Sequence, residues 1–95
     1  MNFLEKYNFT KEDIDEFINN TPKRVMDAIK EYKDLVEKNL EYLTSLGIDT
    51  CVDIFTDFPD MFFLDHSTFT DIFEKYERES LIEKLNKNYK IVEYL

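Results

Sequence analysis

Val25, Ile29, Tyr32, Val36, Leu40 and Leu43 step along the chain by four, three, four, four and three. That spacing keeps six apolar side chains on one side of a helix for five turns, and it cannot keep them on one side of a strand. Lys30, Glu31, Lys33, Asp34, Glu37, Lys38 and Glu41 stand around the stripe and give the outward faces both signs of charge. The pattern predicts a single long helix from Pro22 to Leu46. Gly47, the only glycine in the chain, follows and is placed to close that helix in the left-handed conformation. Nothing elsewhere alternates with period two for long enough to form a strand. One Gly and two Pro are also too few for a β fold, which needs turns every 8–12 residues. The expected fold class is therefore all-α, with five to six helices and no sheet.

The remaining elements carry their own start signals. Thr10 opens "TKED" with Asp13 three residues on, a capping-box spacing, and Ile14, Phe17 and Ile18 supply an apolar face. Thr21-Pro22 ends that helix and starts the next, with Thr21 as cap and Pro22 at the first helical position. "DTCVDIFTDFP" reads as a third helix capped by Asp49 or Thr50, with Pro59 opening the next turn. "MFFLDHS" reads as a single 3₁₀ or helical turn. "TFTDIFEKY" restarts a helix at Thr68, and Ser80 with Glu83 has capping-box spacing before Leu81, Ile82, Leu85, Tyr89 and Val92. "NKN" at 86–88 is expected to break that last helix.

Ninety-five residues make one domain, 1–95. Nine Phe and six Tyr supply large side chains for a core, so a net charge of −9 does not imply disorder. A lone Cys51 cannot form an intramolecular disulfide or a cysteine-clustered metal site, and it suits a reducing, intracellular (cytoplasmic) setting. "MNFLEKYNF" has no signal-peptide character, and no run approaches 18 apolar residues, so no membrane segment is expected. The negative charge opposes phosphate backbones and anionic lipid, and favours basic partners.

A shift of 37 residues lays Ile14, Phe17, Ile18, Pro22, Val25 and Met26 on Cys51, Ile54, Phe55, Pro59, Phe62 and Phe63, and each pair preserves class. A looser third copy starts at "LIEKLNKNYKIV" and lacks the proline. The repeat-like units run about 7–46, 47–78 and 79–95, each a helical hairpin that needs a neighbour to bury its apolar face. "YNFTKEDIDEFINNTP", "NLEYLTSLGID" and "VDIFTDFPDMFF" resemble the repeat of the mitochondrial transcription termination factor family. That resemblance implies paired α-helices with a 3₁₀ turn after the proline, about two and a half short repeats stacked into a curved solenoid, and binding of nucleic acid through a basic concave groove. The groove is where this chain departs from the family. A surface that neutralises several phosphates needs clustered Lys and Arg, and the only adjacent pair is Lys23-Arg24.

Between Lys38 and Lys75 there is no basic residue, yet Glu41, Asp49, Asp53, Asp57, Asp60, Asp65, Asp71 and Glu74 all fall there. On a helix, Asp49, Asp53, Asp57 and Asp60 share one side, each four-residue step being about 6 Å along the axis. Two readings compete: the solvated face of an amphipathic helix, or a negative ridge offered to a basic partner. Ordinary solvated faces mix both signs, which favours the ridge. The acid spacing lacks the glycine and alternation of a calcium loop, so no metal is expected, and no Gly-rich phosphate loop or nucleophile elbow is present. His66 reads as a loop residue capping a turn, and Cys51 as a small buried hydrophobe. "MFFL", Met61 to Leu64, is core by default; if exposed, Phe62 or Phe63 would anchor a partner beside the acids. Tyr89 and Tyr94 are open between core and interface.

The sequence thus points to a non-enzymatic, cofactor-free, acidic interaction protein. Its partner-binding residues are Asp49, Asp53, Asp57, Asp60, Asp65, Asp71, Glu74, Phe62 and Phe63, and its partner is a basic, nucleic-acid-binding protein that it inhibits as a nucleic-acid mimic. The alternative is a nucleic-acid-binding repeat protein like the family it resembles. A third reading is a structural, self-associating domain. The sequence does not specify an oligomeric state.

Overall fold

The computed structural model describes residues 1–95. It is all-helical, with no strand. Six α-helices run α1 Lys11–Asn20, α2 Lys23–Glu31, α3 Lys33–Ser45, α4 Cys51–Asp57, α5 His66–Glu74 and α6 Arg78–Lys87. Three 3₁₀ segments, Asn2–Tyr7, Pro59–Phe63 and Tyr89–Tyr94, complete the chain.

The long helix expected from Pro22 to Leu46 is two helices. Tyr32, at φ −107° and ψ 33°, separates α2 from α3. Its N–H still donates to the Ala28 carbonyl at 2.9 Å and its carbonyl still accepts from Val36 at 3.0 Å, so the break is a one-residue kink. Packing gives the physical reason: the turn at Tyr32 lets both halves meet the Pro59–Phe63 segment. The kink lets Val25 and Ile29 on α2 and Val36, Leu40 and Leu43 on α3 share one core. Tyr32 stays 50% exposed, its ring edge-on to Phe63 at 6.5 Å.

Several local expectations hold. Thr10 and Asp13 form the reciprocal capping box, at 3.0 and 2.9 Å. Gly47 follows α3 at φ 86°. Pro59 opens the 3₁₀ turn, and α6 stops before Asn88, whose side chain accepts from the Lys90 N–H and starts the last segment. Other caps differ. Thr21 is the extended C-cap of α1 and makes no cap bond to α2; Pro22 takes the N-cap position with its carbonyl accepting from Val25 and Met26. α5 starts at His66, two residues before Thr68, because the chain turns at Asp65 out of an extended Leu64. α6 starts at Arg78: the Glu77 carboxylate accepts from the Glu79 and Ser80 N–H groups, so Ser80 lies inside the helix. A carboxylate there also suits the positive end of the helix dipole.

α3 is the central element. It touches the Asn2–Tyr7 segment, α2, α4, the Pro59–Phe63 turn and α5. A row of aromatic rings crosses the core beside it. Phe17 meets Phe55 at 5.0 Å, Phe55 meets Phe62 at 5.0 Å, Phe62 meets Phe69 at 5.1 Å and Phe69 meets Phe73 at 5.2 Å. These centroid separations fall in the range favoured by offset and edge-to-face pairs. The one buried polar side chain, Asn39, ties α3 to the turn. Its Nδ2 donates to the Phe62 and Leu64 carbonyls, both at 3.0 Å, and its Oδ1 lies 2.9 Å from His66 Nδ1. Because Nδ2 faces two carbonyls, Oδ1 faces the imidazole, and Nδ1 carries the hydrogen.

The order helix, helix, 3₁₀ turn occurs twice in succession, as α3, α4 and Pro59–Phe63, then α5, α6 and Tyr89–Tyr94. Burial follows it at a spacing of 30 residues. Cys51 and Leu81, Phe55 and Leu85, and Phe62 and Val92 are all buried, while Val52 and Ile82, and Met61 and Ile91, are half-buried.

Candidate functional site

α4 turns Cys51, Ile54 and Phe55 inward and leaves Asp53 and Asp57 outward, as the spacing requires. Asp49 precedes the helix and Asp60 follows on the 3₁₀ turn. Asp65 sits at the start of α5, and Asp71 and Glu74 lie on its outer side. All seven are exposed, and none is in an ion pair. The three ion pairs of the molecule are Lys6–Glu37 at 3.5 Å, Lys33–Glu37 at 3.9 Å and Lys87–Glu83 at 3.2 Å. Asp57 alone among the seven receives a side-chain hydrogen bond, from the Tyr89 hydroxyl at 2.6 Å. That bond, then burial, then the negative charges of Asp57 and Asp53 push the Tyr89 hydroxyl up to about 12.

Asp57 and Asp60 are brought together with a carboxylate that sequence reasoning missed, Glu93. The three stand around a depression of about 360 Å³ whose apolar walls are Phe58, Pro59, Met61, Ile72, Val92 and Leu95. No cation lines it. Asp71 and Glu74 belong to a second neighbourhood around Tyr42. Burial, then the Glu74 and Asp71 charges, raise the Tyr42 hydroxyl, against the lowering effect of Arg78. Arg78 itself donates to the Ser45 carbonyl at 3.0 Å. Asp49 points its backbone N–H at Asn86 Oδ1, 2.9 Å away, on α6.

Phe62 is not an exposed anchor. It is 0% exposed, held between the rings of Phe55 and Phe69, because the 3₁₀ turn packs that side of itself on α3. Phe63 is half-buried against Tyr32 and lies outside the depression; Met61 is the residue of "MFFL" that reaches it. No spacing in the sequence marks Glu93; it arrives because the Tyr89–Tyr94 segment packs beside α4.

Cys51 is buried, its thiol donating to the Ile48 carbonyl at 3.3 Å and pushed up to about 11, chiefly by burial. Such a thiol is a poor nucleophile. His66 opens α5 and is occupied by Asn39. No three His, Cys, Asp or Glu side chains gather closely enough to hold a metal ion, and no helix is long and apolar enough to cross a membrane. No protein-family model, curated protein or solved structure matches the chain. The site's chemistry therefore rests on its own residues: an apolar recess, a carboxylate rim, and further free carboxylates on either side.

Proposed function

We propose that this chain is a non-enzymatic, acidic interaction module that binds a basic protein, and that it inhibits a nucleic-acid-binding partner by presenting carboxylates where phosphates would lie. The observation that carries this reading is the set Asp49, Asp53, Asp57, Asp60, Asp65, Asp71 and Glu74, all exposed and none in an ion pair. Carboxylates left without cations in the folded protein keep their full field for a partner. Such a field steers association and sets its salt dependence. The test compares wild type with Asp53→Lys/Asp57→Lys on beads in nuclease-treated lysate, washed at low and then high salt. Support is a basic nucleic-acid-binding protein held by wild type, released by salt, absent from the variant, and unable to bind its own DNA or RNA when the purified chain is added. Empty wild-type beads, or equal retention by the variant, overturn it.

A second reading has its own support. The helix, helix, 3₁₀ order with matched burial at 30 residues is the element order of the transcription termination factor repeat that the sequence resembles. It favours a nucleic-acid-binding repeat protein, and the −9 charge opposes it. Titration of labelled DNA and RNA at low salt separates the two, because only this second reading expects direct binding.

A further inference from the structure

We infer that the depression between α4, the Pro59–Phe63 turn, α5 and the Tyr89–Tyr94 segment is an anchor site for one large apolar side chain of a basic segment, a Leu, Met or Phe with Lys or Arg close on both sides. The inference rests on the acidic-module reading and specifies how that module grips its partner.

Three observations lead there. The walls are apolar and are drawn from separate parts of the chain: Phe58 just after α4, Pro59 and Met61 on the 3₁₀ turn, Ile72 on α5, and Val92 and Leu95 near the C-terminus. The volume of about 360 Å³ is at the low end of ligand sites, enough for one large side chain with its neighbouring backbone and too small for an extended apolar helix face. The rim carries Asp57, Asp60 and Glu93 and no cation. An apolar centre ringed by charge is the usual arrangement of an interface hot spot. Here the ring has a single sign, so the residues flanking the incoming apolar group must be cationic. Phosphate-bearing ligands and acidic peptides are repelled by the same three carboxylates. Tyr89 fixes part of the geometry: its hydroxyl holds Asp57 at 2.6 Å, so that this rim carboxylate is placed before a partner arrives. A side chain already held in position loses less entropy on binding. A second copy of this chain is a poor occupant, because two molecules of charge −9 repel at the low salt where the rim acts most strongly.

The test uses three labelled nonapeptides in fluorescence anisotropy at low salt. One has a central Leu with two Lys on each side, the second replaces that Leu with Ser, and the third replaces the four Lys with Glu. The Leu–Lys peptide is expected to bind about tenfold or more tighter than the Ser–Lys peptide, the fold-change expected from burying one such side chain, and the Glu peptide not at all. Met61→Glu at the wall and Asp60→Lys/Glu93→Lys at the rim are each expected to cost the Leu–Lys peptide at least tenfold, with unchanged helicity by far-ultraviolet circular dichroism. Asp15→Lys/Glu16→Lys, two exposed acids of α1 outside the depression, makes the same change in net charge and should cost the peptide severalfold less. Equal binding of the Leu and Ser peptides overturns the anchor while leaving the acidic module standing. Binding of neither overturns both. Leu-peptide binding that survives Met61→Glu places the anchor elsewhere. Sedimentation that gives a dimer for wild type and a monomer for Met61→Glu assigns the depression to a second copy instead, and also overturns the inference.

Discussion

Two tyrosine–carboxylate links face different parts of the molecule. Tyr7 donates to Glu37 Oε1 at 3.2 Å, and Tyr89 donates to Asp57 Oδ2 at 2.6 Å. Both hydroxyls are pushed up to about 12, yet burial is the leading cause for Tyr7 and the hydrogen bond for Tyr89. The carboxylates differ more. Glu37 also takes Lys6 and Lys33, and its side chain is only 20% exposed. Asp57 has no cation, and its neighbours Asp53 and Asp60 have no side-chain partner either. Glu37 therefore fastens the N-terminal segment to α3, whereas the carboxylates of α4 and the following turn have no cation within the chain. Part of the cause lies in the sequence, since Lys33 stands one turn before Glu37 while no Lys or Arg occurs between 38 and 75; the fold adds Lys6.

The proposed function divides the two faces of α4, with stability on the inner side and recognition on the outer. Phe55 should therefore give the largest effect. It is fully buried and touches the rings of Phe9, Phe17 and Phe62. Phe55→Ala is expected to cost about 3–5 kcal/mol in urea unfolding, as buried phenylalanine truncations do. A loss below about 0.5 kcal/mol, the range of surface substitutions, would show that α4 is not held from its inner side.

Asn39 comes next. Removing its amide leaves the Phe62 and Leu64 carbonyls without their donor under the turn that carries Asp60. Asn39→Ala is expected to cost about 1–3 kcal/mol, the penalty of unsatisfied buried acceptors, and to speed hydrogen exchange in residues 59–65 more than in α1. Exchange that rises uniformly would show that Asn39 supports the core in general and has no special hold on the site.

The carboxylates test the comparison directly and at smaller scale. Glu37→Gln is expected to lower stability by up to about 1 kcal/mol, the scale of partly exposed ion pairs. Asp60→Asn should leave stability unchanged or raise it slightly at low salt by relieving repulsion among its neighbours. Equal losses from both would mean that Asp60 has a structural role that its geometry does not show.

How much of this was legible depended on the range of the interaction. The Thr10 box, the Gly47 closure, buried Cys51 and the 3₁₀ turn at Pro59 are decided within four or five residues, and local spacing was sufficient. The kink at Tyr32 was hidden because periodicity reports which side of a helix is apolar and is blind to the distant segment that both halves meet. The start of α6 was misplaced for a different reason. Ser80 with Glu83 matches a box, but the Glu77 carboxylate caps the Glu79 and Ser80 N–H groups and starts the helix one turn earlier. The anchor depression needed Val92, Glu93 and Leu95 to meet Phe58 and Asp60 across some thirty residues, and no local pattern carries that distance. Asn39, set between Val36 and Leu40 on the buried side of α3, raised no signal until its partners were in place.

The smallest effects at neutral pH belong to the tyrosines themselves, and alkali separates them. A tyrosine that ionises near 10 in the unfolded chain and near 12 in the folded one adds stability that is complete below pH 10. Between about 10 and 12 the unfolded chain releases the proton and the folded chain keeps it, so stability falls; above about 12 both states have lost it and the contribution is gone. Tyr42, raised in the same direction, adds to the same decline, and Cys51, pushed up to about 11, adds a decline that begins earlier, near pH 9. The slope of the melting temperature between pH 10 and 12 should therefore flatten in both Tyr7→Phe and Tyr89→Phe. At neutral pH the two part company. Tyr7→Phe leaves Glu37 with Lys6 and Lys33, whereas Tyr89→Phe leaves Asp57 with no partner and free to move on the rim. Tyr89→Phe should then weaken a basic peptide that Tyr7→Phe leaves unaffected. Identical peptide affinity in the two variants would reduce both links to the same structural role and remove the distinction between the two regions.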